Sequence, residues 1–277
     1  MQFTRRGRLI ATLSAGVVAL LLVGYVVRFT PVGALLGIPG SRPCHVTVSG
    51  HSKSWSRQQA MTATTVAGVG VRIGATVNGV AAAVARAGSG TGDAGITPAA
   101  AREIYHRLPD RAHPSADQVA LARALMGLDG RALACVVPWR QGHLGREQMG
   151  PIGLTPRAES VRSAMLAVFG SQPIGGYAPG GVRSGHMPGS AHYEGRAIDV
   201  FFRPIDTKHR AAGWVTAQFL VAHAADLHVA TVIFNARIWS AQRSAEGWRP
   251  YVLPPDERDN AVLMHRDHVH VDVIRGG

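Results

Sequence analysis

His192, Asp199, His268 and His270 are the residues of this chain whose types and spacing suit a bound metal. His192 and Asp199 are separated by six residues, and His268 and His270 by one. Two neutral imidazoles and one carboxylate would leave the fourth position of a tetrahedral zinc open for water. That is the arrangement of a hydrolytic ion rather than a structural one.

Strands are the elements that can bring such residues together. Side chains at i, i+2 and i+4 of a strand share a face. In His268-Val269-His270-Val271-Asp272-Val273 the polar residues occupy one face and the valines the other. Packing the valines would hold both imidazoles in one pocket. Ala197 and Asp199 likewise share a face, with Ile198 and Val200 behind them. Gly195, between His192 and that strand, permits a sharp turn that returns the imidazole toward the carboxylate.

The run Ser190-x-His192-x-x-Gly195-x-Ala197-x-Asp199, followed far downstream by His268-x-His270, resembles the zinc D-alanyl-D-alanine peptidases of the M15-like group. That group also holds peptidoglycan endopeptidases and the hedgehog signalling domain, and the domain is most similar to an exported actinobacterial branch of it. The resemblance covers roughly residues 155–277. It implies His192, Asp199 and His270 as ligands of one zinc per chain, with His268 beside the metal stabilising the tetrahedral intermediate. Gly181-Val182-Arg183-Ser184 is similar to a substrate-binding turn of the family. This implies that Arg183 binds the substrate carboxylate or the developing oxyanion, and that Ser190 belongs to the substrate side of the site. For the general base the family offers two positions, which fall on His265 and Asp267. Imidazole has a near-neutral pKa suited to moving a proton from activated water, which favours His265, with Asp267 second. If Asp267 and His268 are neighbours on a strand, they point to opposite faces, and this counts against Asp267.

Other polar and aromatic residues read more plainly. His186 reads as a loop residue, His223 and His228 as capping or surface histidines, and Glu194 as solvated. Trp214, Trp239 and Trp248 read as core or cleft wall.

The elements implied are those of an α+β protein: an antiparallel sheet with packed helices in the C-terminal part, preceded by a transmembrane helix and a small mainly helical domain. Arg5, Arg6 and Arg8 precede an uncharged apolar run from Leu9 to Val27, long enough to span a bilayer. The basic flank orients it with a cytoplasmic N-terminus and extracytoplasmic domains. The expected organisation is an anchor at 1–28, a linker at 29–43, a helical accessory domain at 44–140, a Gly-rich linker at 141–154 and a peptidase-like domain at 155–277. A cleaved signal peptide followed by secretion is the alternative to the anchor. Cys44 and Cys135 are the two cysteines, and an exported chain permits a bridge between them.

Net charge is +12 and uneven. Residues 1–156 carry 16 Lys/Arg against 6 Asp/Glu, and residues 157–277 carry 13 against 11. A basic first half favours anionic polymers or lipid head groups as neighbours. Nucleic acid is excluded as a partner, because no aromatic stacking pattern interleaves the basic residues. The function expected is a zinc-dependent hydrolase cutting peptidoglycan peptide stems. The alternative is an inactive zinc-containing domain that binds wall peptide or a protein partner. Surface metal handling, suggested by the 13 histidines, ranks below both.

Overall fold

The computed structural model describes residues 43–88, 95–109, 112–139 and 143–277. These contain six helices: α1 (Arg57–Arg72), α2 (Val77–Gly88), α3 (Pro98–His106), α4 (Ala116–Leu125), α5 (Pro156–Phe169) and α6 (Thr207–Ala222). Strands β1 (Cys44–Val48), β2 (His51–Trp55) and β3 (Leu133–Cys135) form one antiparallel sheet in the order β2-β1-β3. A second sheet holds β4 (Ile174–Gly175), β5 (Ala197–Phe201), β6 (Val229–Phe234), β7 (Arg237–Ser240), β8 (Arg249–Pro250) and β9 (His268–Val273). Its order is β4-β5-β9-β6-β7-β8, with every pairing antiparallel.

Local chemistry sets the helix starts. Ser56 and Ser115 each form a capping box with a Gln three residues on, Gln59 and Gln118. Thr97-Pro98 and Thr155-Pro156 place a threonine at the cap and proline at the first helical position, where its missing N–H costs nothing. Asp206 accepts from the His209 amide and starts α6 at Thr207, six residues before the apolar stretch that announces it in the sequence.

Two expectations are corrected. The first is the transmembrane helix, and with it the single-pass membrane location. The run Leu9–Val27 lies outside the described residues, and among those described no helix is long and apolar enough to cross a membrane. The longest, α1 and α6, have 16 residues each, against the roughly 20 apolar residues a bilayer requires. The second concerns the preceding region, which is mainly helical as expected but does not stand apart from the rest. That region contributes a three-stranded sheet, and α1 packs against α5 and α6 as well as α2 and α3. One continuous buried cluster therefore includes Val66 and Val69 of α1, Val161 and Met165 of α5, and Phe219 and Leu220 of α6. Ala60 and Thr62–Gly70 are buried in succession, so α1 is enclosed on all sides rather than amphipathic.

A buried amide couples the two parts. Gln218 on α6 is fully inaccessible. Its Oε1 accepts from the amides of Ala132 and Leu133 at 3.1 and 3.0 Å, and its Nε2 donates to the carbonyls of Ala124 and Leu125 at 3.1 and 3.3 Å. All of its polar capacity is used, which a buried amide requires. Trp239 and Trp248 donate their indole N–H groups to the carbonyls of Cys135 and Leu133. The Cys44–Cys135 disulfide joins directly opposed residues of β1 and β3. Replacing Gln218 by Met keeps the volume but strands two buried donors. The expected result is a loss of about 2–4 kcal/mol in denaturant unfolding, with the slope of the transition unchanged.

Candidate metal centre

β5 and β9 are adjacent, and their register sets Asp199 directly opposite His270 and Phe201 opposite His268. Val269, Val271 and Val273 are buried in the core, with Ile198 and Val200 on the neighbouring strand. The alternation read from the sequence thus leaves Asp199, His268 and His270 together on the other face. All three are nearly inaccessible, at 6%, 6% and 8% exposure.

His192 reaches the same point from a short 3₁₀ turn, Ala191–Glu194. Ser190 caps this turn through its hydroxyl, which accepts from the His192 amide. Gly195 ends it in the left-handed region at φ 65°, and a Cβ there would meet the Gly153 carbonyl at 2.6 Å. Gly176, at φ 81°, is the second required glycine. A Cβ there would fall 2.4 Å from His192 Cε1, and the Gly176 carbonyl accepts from His192 Nδ1 at 2.7 Å.

That hydrogen bond assigns the His192 proton to Nδ1 and leaves Nε2 as a lone pair. His192 Nε2 lies 3.3 Å from Asp199 Oδ1 and 3.1 Å from His270 Nδ1, and His270 Nδ1 lies 3.1 Å from Asp199 Oδ1. Three potential acceptors therefore converge. Only His270 Nδ1 can carry a proton to share among them. His270 Nε2 faces Asp272 Oδ2 at 3.5 Å. Burial lowers the His270 pKa, but its hydrogen bonds to Asp199 and Asp272 outweigh this and raise it to about 9. Burial raises the Asp199 pKa, yet the neighbouring His192 and His270 imidazoles hold it well below the usual carboxylate range. A carboxylate anion and two imidazoles around one point are a cation's donor set.

His186 belongs to the group too. His186, His192 and Asp199 each place a ligand atom within 4.8 Å of the others and together could hold a metal ion. The His186 ring stacks on His192 with centroids 3.8 Å apart and planes 17° apart. Nearly parallel rings confine their in-plane lone pairs to separate parallel planes, so His186 is better suited to covering His192 than to sharing an ion with it. Sequence reading took it for a plain loop residue; six residues separate it from His192, and no local pattern reports the fold-back that Tyr193 secures through its hydroxyl.

The remaining expected residues divide. His268 Nε2 lies 3.8 Å from Asp199 Oδ1, and its Nδ1 donates to Asp267 Oδ1 at 2.7 Å. Asp267 precedes β9 by one residue, so strand alternation does not govern it. Its other oxygen is held by Arg203 at 2.6–2.8 Å. Arg203 was not foreseen in this role, since 64 residues separate the two. Burial raises the Asp267 pKa, but the bonds from His268 and Arg203 bring it down. His265 stands with its ring 4.6 Å from that of His268 and 5.7 Å from that of His270. Its Nδ1 donates to the Leu263 carbonyl. Burial and the charges of His270 and His268 lower its pKa to about 3. Arg183 is exposed and forms no hydrogen bond or ion pair among the described residues.

A family model described as VldE, C-terminal domain, matches residues 150–262. The match includes His186, His192, Asp199 and Arg203 but ends before His265, Asp267, His268 and His270. No curated protein and no solved structure matches the chain.

A metal ion bound by His270 would have to displace its proton. In the metal-free protein the raised pKa contributes stability that is complete below about 6.5 and is lost as pH rises through about 9. Metal affinity runs the opposite way. Competition titrations at a series of pH values are expected to show affinity rising about tenfold per unit up to pH 9 and levelling above it. In His270→Ala this slope should vanish together with most of the affinity.

Proposed function

We propose that this protein is a zinc-dependent hydrolase acting on peptide amide bonds, with the peptide stems of peptidoglycan as its substrate. The carrying observation is the set of three separations among His192 Nε2, Asp199 Oδ1 and His270 Nδ1, 3.1, 3.1 and 3.3 Å. Ligands on a tetrahedral zinc, with bonds of about 2.0–2.1 Å, lie about 3.3–3.4 Å apart. The side chains already stand at nearly that spacing, and three protein ligands leave one position for water or substrate. The resemblance of residues 155–277 to zinc D-alanyl-D-alanine peptidases supports the substrate class.

A zinc ion held there would supply Lewis acidity, activating water and polarising the scissile carbonyl. The protein's own groups divide the rest. Gly176 and Asp272 fix the rings of His192 and His270, so that neither needs to reorganise. Asp267 fixes the His268 tautomer and turns the Nε2 lone pair toward the centre, the arrangement of a carboxylate-oriented base. Asp267 itself is a poor base, because both its oxygens are engaged. His265 is the less suited base, because burial lowers its pKa and its Nδ1 is engaged by the Leu263 carbonyl. His268 therefore takes the proton from water and returns it to the leaving amine. Arg183, free of other partners, is available to bind the substrate carboxylate.

The test is incubation of the zinc-loaded protein with muropeptides and mass analysis of the products. Loss of a terminal residue or opening of a cross-link is expected in the wild type. His268→Gln should retain zinc and lose roughly 10²–10⁴ in rate, whereas His265→Gln should lose much less. A folded, zinc-loaded protein that cuts none of these peptides contradicts the reading and leaves a binding module in its place.

A further inference from the structure

Apart from the metal ligands, a large cavity lies between the β7–β8 edge, the start of α6 and the turn after α4. It has a volume of about 920 Å³, and its walls include Arg131, Arg210, Arg237 and Arg266. A second cavity of about 530 Å³ shares Thr47, Asp129 and Arg131 with it and adds Arg123, so the two form one groove. The only acidic residue lining either part is Asp129, and its carboxylate is taken by Arg123 at 3.1 Å. Among the described residues, none of the other four arginines forms an ion pair. The one hydrogen bond among their side chains is a long contact from Arg210 to Thr207 at 3.4 Å. Arg131, Arg210 and Arg266 are exposed and Arg237 is half-buried.

Four guanidinium groups around one groove repel one another. Burial and then the like charge of Arg237 lower the Arg131 pKa, which places these two within electrostatic reach. Folding alone gives no return for such an arrangement; a polyanion does, because each guanidinium fork matches the oxygens of a phosphate or carboxylate in pairs. Of the two aromatic residues lining the groove, Trp214 is only 3% exposed and Tyr251 is half-buried with its ring packed against His265, so there is no row of exposed rings for bases to stack on. This separates it from single-strand nucleic-acid grooves, where aromatic platforms supply much of the affinity.

We infer that the Arg131–Arg210–Arg237–Arg266 groove is a binding site for a ligand bearing several phosphate groups. The volume suits several charged groups in a row rather than a lone ion. One wall is continuous with the loop carrying His265: the amides of Asn235 and Ala236 donate to the carbonyls of His265 and Met264, and Tyr251 packs edge-on against the His265 ring. The groove is thus joined to the metal centre through the His265 loop, while its lining includes none of His192, Asp199 and His270. The site does not depend on the hydrolase reading, and its test keeps the two apart.

The purified full chain is titrated with tripolyphosphate and with a short oligo(glycerol phosphate), each with and without a metal chelator. Poly-L-glutamate and single-stranded DNA of matched charge serve as controls. Binding of the phosphate probes that is insensitive to chelator and weakens with added salt is expected. Tighter binding of tripolyphosphate assigns a compact polyphosphate, and tighter binding of the oligomer assigns a phosphodiester chain. Arg131→Gln/Arg237→Gln should weaken binding by about tenfold or more. Arg210→Gln/Arg266→Gln, which changes two exposed residues, should do the same and serves if the first pair fails to fold. Absence of binding, binding unchanged in a folded variant, or equal or tighter binding of poly-L-glutamate or DNA overturns the inference.

Discussion

The pairing of β5 with β9 places Asp199 opposite His270, and both the core and the site hang on that register. A slip of one residue would turn one strand over relative to the other, sending either the carboxylate or both imidazoles into the core. In the register that forms, Asp199 Oδ1, His192 Nε2 and His270 Nδ1 lie within 3.3 Å of one another with one shared proton at most. Buried acceptors without donors cost free energy. The cost is tolerable where a cation completes the set. The same interaction that fixes the sheet's geometry therefore assembles a donor set that a metal ion could complete.

The remainder of the molecule makes that arrangement rigid. α5 and α6 cover the valine face of the sheet, and α1 packs on both. Gln218 and the indoles of Trp239 and Trp248 fasten α6 and the second sheet to β3, which the Cys44–Cys135 bridge ties to β1. On the site face, each imidazole has a fixed partner at its far nitrogen: Gly176 for His192, Asp272 for His270 and Asp267 for His268. Arg203 in turn secures Asp267. Ligands restrained at both ends do not have to pay for ordering when a metal arrives.

Much of this was legible from local pattern. Alternation in His268–Val273 and Ala197–Val200 announced two strands and their faces. The features that escaped depend on contacts between residues distant in sequence. β1, β2 and β3 are short, and β2 (His51–Trp55) carries little apolar alternation to reveal it. The engagement of Asp267 by Arg203 and the stacking of His186 on His192 arise from chain returns that no periodicity encodes. The enclosure of α1 follows from small residues, Ala, Thr and Gly, that read as weakly hydrophobic but allow close helix approach. The apolar run at 9–27, read as a spanning helix from its length, lack of charge and basic flank, lies outside the described residues, whose helices are all shorter than a bilayer needs.

The central claim is a coordination sphere of two imidazoles and one carboxylate. X-ray absorption at the zinc edge of the loaded protein tests it most directly. The prediction is one zinc per chain with two imidazole nitrogens and one or two oxygens at about 2.0–2.1 Å, and one imidazole fewer in His270→Ala. Three imidazoles in the wild type, or a sphere unchanged by that substitution, would contradict it.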